Sequence, residues 1–114
     1  MHEQNSIGVV FAAARDRVLD LHGGDEEGRM LQSPGLKTSG KFYAFVTATD
    51  VIVKLPRTRV SELISNGVGT PCSPRPGRPM KEWVQLADLD ESSCLAYLLE
   101  AREFVAEKEG RHDA

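Results

Sequence analysis

The sequence predicts an α+β fold in two layers, an antiparallel sheet with its helices on one face, in the order α-β-β-β-α-β-α. Apolar residues recur at helical spacing near both ends of the chain, whereas the middle is rich in aromatic and β-branched residues. Short turns rather than long crossovers separate the first strand segments, which favours antiparallel pairing. A helix layer packed on a sheet layer buries all of these apolar stripes in one core.

The first element is a helix predicted over residues 7–21, IGVVFAAARDRVLDL. Asn5 or Ser6 can cap its N-terminus, and Gly23-Gly24 ends it. The residues that define its apolar face recur at helical spacing and are Ile7, Val10, Phe11, Ala14, Val18 and Leu21. We therefore expect an amphipathic packing helix.

Strands follow the first helix. Residues 29–32 with 36–38 predict a first strand, interrupted by a Ser-Pro-Gly sequence that is typical of a turn. Residues 41–48 and 50–55 are rich in aromatic and β-branched side chains, which predicts two further strands joined by a tight turn near Thr49-Asp50. The sequence therefore indicates an antiparallel meander.

The second half predicts a helix, a connector, a strand and a helix. RTRVSELISNG (57–67) predicts a short helix that ends at its Asn-Gly. VGTPCSPRPGRP (68–79) is too rich in proline and glycine for a regular element, and KEWVQL (81–86) predicts a strand with Trp83 in the core. A long amphipathic helix then begins after Asp90 or Ser92.

The length of 114 residues predicts one domain, spanning residues 1–114, with residues 1–5 and 110–114 frayed. A composition of 40% hydrophobic and 27% charged residues is typical of a globular protein and unlike a disordered one. No apolar run is long enough to cross a bilayer, and the MHEQNS start lacks the basic region of a signal peptide. We therefore expect a cytoplasmic protein without a membrane partner.

Charge is distributed unevenly along the chain, whose formal net charge is −3. Segment 50–81 has 6 basic and 2 acidic residues, a net charge of +4, whereas segment 82–114 has 3 and 9, a net charge of −6. The overall sign argues against strong non-specific binding to nucleic acid. The basic segment 50–81 is nevertheless compatible with a local anion-binding surface.

The sequence predicts no catalytic, metal-ligating or cofactor-binding constellation. The histidines, His2, His22 and His112, lie far in sequence from Cys72 and Cys94, whose thiols we expect to be reduced and idle. The chain also lacks HxH, HxxxH and CxxC patterns and the glycine spacing of phosphate-binding loops. We therefore expect a protein that is not an enzyme and uses no cofactor.

Basic residues at turns and element ends form the one cluster that could bind a ligand. Arginines there can contact phosphates bidentately, or the same cations can be surface charges paired with Glu62, Glu82 or the acidic last helix. Trp83 beside them can stack on a base, although a single tryptophan in a strand more often belongs to the core. The candidate contacts are Lys54, Arg57, Arg59, Arg75, Arg78 and Lys81.

Three stretches, taken in order, resemble the N-terminal domain of the TfoX/Sxy family. They are GRMLQSPGLKTSGKFYAFV, VIVKLPRTRVSELISNGVG and PGRPMKEWVQL, with the closing helix in the expected place, and the resemblance covers residues 10–106. The chain departs from the family at Met30-Leu31-Gln32, where Met-Phe-Gly is usual. The family's recurrent positions fit a structural role as well as a binding role, and they are Gly40, Lys41, Lys54, Leu55, Pro56, Gly77, Arg78, Met80, Glu82 and Trp83.

The resemblance implies a small α+β fold similar to the YjbR-like and secretion-chaperone-like folds, and it implies no catalytic residues. Full-length TfoX proteins regulate bacterial competence and carry a second domain, and the resemblance implies that this second domain would begin near residue 114. Our leading hypothesis is a non-catalytic regulatory or adaptor domain of the bacterial cytoplasm, of unknown ligand. One alternative is a DNA-binding module that uses the basic loops 54–59 and 75–81; another is a module that binds a protein partner or forms a homodimer.

Overall fold

The computed structural model describes residues 6–30, 33–72 and 81–112, with all side chains except those of residues 30 and 108–112. These ranges contain three helices and six strands. In chain order, the elements are α1 (Ile7–Leu21), β1 (Glu26–Met30), β2 (Ser33–Thr38), β3 (Lys41–Val46), β4 (Val51–Lys54), α2 (Arg57–Ser65), β5 (Gly69–Pro71), β6 (Trp83–Leu86) and α3 (Glu91–His112).

The six strands form one sheet in the order β1-β2-β3-β4-β6-β5, and every neighbouring pair is antiparallel. Helix α3 packs on β2, β3 and β4, α1 packs on α3, and α2 packs on β5 and β6. One hydrophobic core contains side chains from all three helices, so the helices share one face of the sheet. The predicted two-layer α+β fold, with its helices on one face, is confirmed.

The sheet has two more strands than the four that the sequence predicted. The turn predicted at Ser-Pro-Gly is wrong, because these residues begin β2 and pair with β1. The segment predicted to be irregular contains the three-residue β5, which lies at the edge of the sheet. Pro71 is tolerated there because an edge strand leaves one row of backbone groups unpaired.

A pair of glycines explains why the Ser-Pro-Gly sequence forms a strand. Gly28 and Gly35 lie opposite each other in β1 and β2, and the ring of Phe42 lies over both. A Cβ atom at either position would come within 3.1 Å of that ring, and one at Gly35 would also lie 2.7 Å from the Ala44 carbonyl oxygen. Close packing against the backbone of β3, rather than a turn, therefore requires glycine at position 35.

Caps and turns fix the helix and strand boundaries. The backbone N–H of Val9 donates to Ser6 Oγ at 3.3 Å, which makes Ser6 the N-cap of α1. The N–H of Ser93 donates to Asp90 Oδ1 at 2.7 Å, and this bond lowers the pKa of Asp90. Gly67, at the end of α2, has φ +78°. The fraying predicted for residues 1–5 lies outside the described residues, whereas α3 continues to His112.

Two short turns connect the middle strands. Ser39 and Gly40 join β2 to β3 with φ values of 52° and 78°, which is typical of a two-residue hairpin turn. Between β3 and β4, the Thr47 N–H donates to the Asp50 carbonyl at 2.8 Å. The Thr47 hydroxyl oxygen also accepts from the N–H of Asp50 at 3.1 Å. The turn predicted near Thr49-Asp50 is therefore confirmed.

A buried carboxylate joins the α1–β1 loop, the sheet and α3. Asp25 Oδ2 accepts from the hydroxyl of Tyr43 at 2.9 Å and from Nε of Arg102 at 2.8 Å, and its side chain is 1% exposed. Tyr43 lies where the pairing of β2 with β3 shifts register, so this bulge directs its side chain. Burial, with the hydrogen bond to Asp25, raises the pKa of Tyr43 well above its ordinary value.

We expect Asp25→Ala to lower the free energy of unfolding by about 3–5 kcal/mol, because it leaves the Arg102 guanidinium without its buried partner. Tyr43→Phe removes a single hydrogen bond and serves as the matched control, with an expected loss of about 1 kcal/mol. Urea denaturation followed by circular dichroism measures both losses. Equal losses in the two variants would show that the ion pair adds nothing beyond the hydrogen bond.

Candidate binding surface around Trp83

In the part of the chain that the structure describes, the helices pack on one face of the sheet, and we call the opposite face the outer face. Alternate strand residues point to opposite faces of a sheet. Val84 and Leu86 of β6 lie in the core, so Trp83 and Gln85 belong to the outer face. Register then places Lys54 opposite Trp83, and Ile52 opposite Gln85, on the same face.

An aromatic row, defined as Phe42, Phe45 and Trp83, crosses the outer face. The Phe45 and Trp83 rings lie 5.5 Å apart between centroids and are tilted by 56°. Lys54 Nζ lies 5.7 Å from the centre of the Trp83 ring, and Lys37 Nζ lies 5.5 Å from that of Phe42. All three aromatic side chains are half-buried. The row therefore presents ring surface and cations to solvent together.

The predicted place of Trp83 in the core is wrong. Its side chain is half-buried on the outer face, and Val84 and Leu86 take the core positions of β6 instead. The signal for this was present in the sequence. Trp83 alternates in phase with the polar Gln85, whereas the apolar Val84 and Leu86 form the opposite set, which is the set that the core receives.

Ion pairs and hydrogen bonds hold the strand ends around Trp83. Lys54 Nζ lies 3.9 Å from Glu82 Oε1, and the N–H of Leu55 donates to the Glu82 carbonyl at 2.9 Å. Farther along, Gln85 Nε2 donates to Asp50 Oδ2 at 2.8 Å. These contacts fix the backbone on which the Trp83 ring is mounted.

Three of the six predicted basic contacts converge on Trp83. Lys54 lies over its ring, and Arg57 and Lys81 border the same cleft as the indole. Arg59, in contrast, faces α3, where its guanidinium bonds Glu62 and Glu100 at 2.8 Å each and lies 6.0 Å from the Tyr97 ring. These bonds raise the pKa of Arg59. The remaining predicted positions, Arg75, Gly77, Arg78 and Met80, lie outside the described residues.

The cleft beside Trp83 lies between α2 and the β5–β6 end of the sheet. We call it the Trp83 cleft; its volume is about 360 Å³. Within the described ranges, Arg57 and Lys81 form no ion pair, and both are exposed. Its lining residues are Arg57, Val60, Ser61, Ile64, Pro71, Lys81 and Trp83. The cleft thus combines an apolar wall, an indole and two available cations.

The other positions predicted to be structural lie outside this cleft. Gly40 forms the β2–β3 turn, and Lys41 follows it, exposed, at the start of β3. Pro56 precedes α2 as its N-cap, and the fixed φ of proline suits a helix start. Pro56 thereby links Lys54, at the end of β4, to Arg57, the first residue of α2.

The two thiols are placed where they are unreactive. Cys72 and Cys94 are both buried, and burial raises the pKa of each, that of Cys94 to about 11 with a contribution from Glu91. A protonated thiol is a poor nucleophile. The described residues contain no group of three or more His, Cys, Asp or Glu side chains positioned for a metal ion. No helix in the same ranges is long and apolar enough to cross a bilayer.

No family model, curated protein or solved structure matches the chain. The resemblance to the TfoX N-terminal domain therefore stays a prediction from the sequence motifs.

We expect Trp83→Ala to lower the free energy of unfolding by about 2 kcal/mol, since a half-buried ring loses only part of its apolar contact. Phe11→Ala, in which a ring only 1% exposed is lost from the helix–sheet core, should lower it by about 3–5 kcal/mol. Urea denaturation of the two variants gives the comparison. A larger loss for Trp83→Ala would mean that the indole supports the core.

We also expect both thiols to resist alkylation in the folded protein at neutral pH, because burial favours their protonated form. For Cys94, the raised pKa also stabilises the folded state, and this stabilisation is complete at pH values below the ordinary thiol pKa. It is lost as the pH rises towards about 11. Labelling with a thiol reagent, with and without denaturant, measures the protection. The Cys94→Ser variant retains Cys72 as its one thiol. Fast labelling of this variant in the folded state would therefore identify Cys72 as the accessible thiol.

Proposed function

We propose that the protein is a non-catalytic regulatory or adaptor domain, similar to the TfoX N-terminal domain, that binds nucleic acid at the Trp83 cleft. The observation that carries this proposal is the convergence of Lys54, Arg57 and Lys81 on one tryptophan. Phosphate contacts from arginine and lysine supply most of the affinity of a nucleic-acid-binding protein, and aromatic side chains add stacking. The cleft contains both kinds of side chain.

Local charge supports the choice of an anionic partner. Three cations border Trp83, and Glu82 is the carboxylate beside them, held 3.9 Å from Lys54. Among the described residues around Trp83, these four side chains carry a net charge of +2, in a chain whose formal net charge is −3. On α3, the Glu100 carboxylate is paired with Arg59 at 2.8 Å, which offsets its charge. An approaching polyanion is therefore favoured at the Trp83 cleft.

The chemistry of the described side chains supports binding rather than catalysis. Both thiols are buried with raised pKa values, which is the reverse of what a cysteine nucleophile needs. Tyr43 and Asp25 satisfy each other and Arg102 inside the fold. These titratable groups have structural partners that account for their positions.

A second candidate function is self-association through the aromatic row. Phe42, Phe45 and Trp83 expose ring surface, and the pairs Lys37–Glu26 and Lys54–Glu82 flank them with charges of both signs. An apolar centre with a mixed polar rim is typical of a protein interface. Sedimentation over a range of protein concentrations tests this candidate, and a monomer at every concentration would exclude it.

We expect binding to labelled DNA to weaken steeply with salt, because the three cations around Trp83 can each displace a counterion. For three contacts, the logarithm of the association constant should fall with a slope of about −2 to −3 against the logarithm of salt concentration. Fluorescence anisotropy between about 50 and 200 mM salt measures the slope. The double variant Arg57→Glu/Lys81→Glu should abolish binding at the lower salt.

The matched control is Arg17→Glu, which reverses an exposed cation on α1, in the helix layer. It changes the net charge of the chain without changing the Trp83 cleft and should bind DNA nearly as well as the unaltered protein. An equal loss in the control and in single-site Lys81→Glu would mean that net charge, not the cleft, determines binding. Absence of binding at about 50 mM salt would refute the proposed function.

A further inference from the structure

The geometry points to the Trp83 cleft as a site for one unpaired nucleotide, whose base stacks on Trp83 while Arg57 and Lys81 hold its phosphate. This inference rests on the proposed function and makes it specific, since it assigns the protein a single strand rather than a duplex. The chemistry recognised is that of a nucleoside monophosphate unit, whether free or part of a chain.

The size and lining of the cleft fit such a unit. Its volume of about 360 Å³ lies near the lower end of the range of small-molecule pockets, about 300–1,000 Å³. Val60, Ile64 and Pro71 form an apolar wall, and the exposed Ser61 offers a hydroxyl. A planar base needs an apolar slot with few polar contacts, which this wall provides.

The indole is held in position before any ligand arrives. On one side, Phe45 packs against it at 5.5 Å in a tilted geometry, and Lys54 lies 5.7 Å from its centre. Trp83 is also one of the residues that line the cleft. Stacking on a ring already fixed by its neighbours loses little conformational entropy.

The two cations at the mouth can bind a phosphate. Arg57 and Lys81 make no ion pair within the described ranges, so an anion displaces no internal carboxylate from them. Glu82 also borders this region, but Lys54 lies 3.9 Å from its carboxylate and offsets its charge. A guanidinium can bind two phosphate oxygens at once, and a lysine ammonium adds a point charge.

A duplex cannot use this site in the same way. Bases inside a duplex stack on each other, so their faces are covered and cannot stack on a tryptophan unless the base is flipped out. A single strand exposes those faces without that cost, and aromatic stacking then adds to the phosphate contacts. We therefore expect binding to single strands to exceed binding to duplexes of the same length.

The chain contains a single tryptophan, so its fluorescence reports Trp83 alone. The probes are oligothymidylate, a duplex of the same length, thymidine monophosphate, thymidine and inorganic phosphate, each titrated into the folded protein. We expect saturable quenching by oligothymidylate and by thymidine monophosphate. Thymidine lacks the phosphate, and inorganic phosphate lacks the base. Each should therefore bind at least tenfold more weakly than the monophosphate.

Charge reversal at the mouth tests the assigned contacts. Arg57→Glu/Lys81→Glu should weaken quenching by oligothymidylate at least tenfold, whereas Arg17→Glu should leave it unchanged. Arg57 and Lys81 are exposed, so we expect the double variant to fold, and its urea midpoint checks that it does. If the double variant is unfolded, single-site Lys81→Glu, with an expected loss of at least threefold, takes its place.

The outcomes separate this inference from the proposed function. Equal anisotropy binding of single strand and duplex without quenching would overturn the nucleotide site and leave nucleic-acid binding in place. Quenching by thymidine monophosphate without binding of either nucleic acid would support the site and refute the proposed function. No binding of any probe would refute both, and quenching that survives charge reversal would show that Arg57 and Lys81 do not hold the phosphate.

Discussion

The buried carboxylate of Asp25 is the contact on which the layered arrangement depends. It accepts from Tyr43 on the sheet and from Arg102 on α3, and it lies in the loop that leaves α1. One side chain thus fixes both long helices against the same face of β3. Because a buried charge requires partners in good geometry, the helix layer cannot shift without leaving that charge unsatisfied.

Local signals predicted the helices well and the strands less well. Periodicity and caps placed α1 and α2 at the residues that the structure assigns, because both signals act within a few residues. The strand beginning at Ser-Pro-Gly was missed because its glycine is required by the Phe42 ring, which lies on another strand. A contact between distant segments overrides turn propensity, and a single sequence does not reveal it.

The candidate site was predictable in part. The basic residues were identified from their clustering, and Trp83 from its position beside them. The sequence did not show which of these residues lie together in the folded protein. Helical geometry does separate Arg57 from Arg59, since residues two apart do not share a face, and this signal was available in the sequence. It agrees with Arg59 facing Glu100 on α3 while Arg57 borders the cleft. The face of Trp83 could also have been predicted, since Trp83 alternates in phase with the polar Gln85 and out of phase with Val84 and Leu86.

The facing glycines of β1 and β2 have a consequence for how the molecule can vary. With no side chains beneath it, the Phe42 ring lies directly on the backbone. The outer face is therefore flat at that end, because Gly28 and Gly35 have no side chains. Replacing either glycine with a larger residue would displace the Phe42 ring from the backbone and make the outer face less flat several residues away. Substitution at Gly28 and Gly35 is therefore restricted by the shape of the outer face, although neither residue has a side chain on that face.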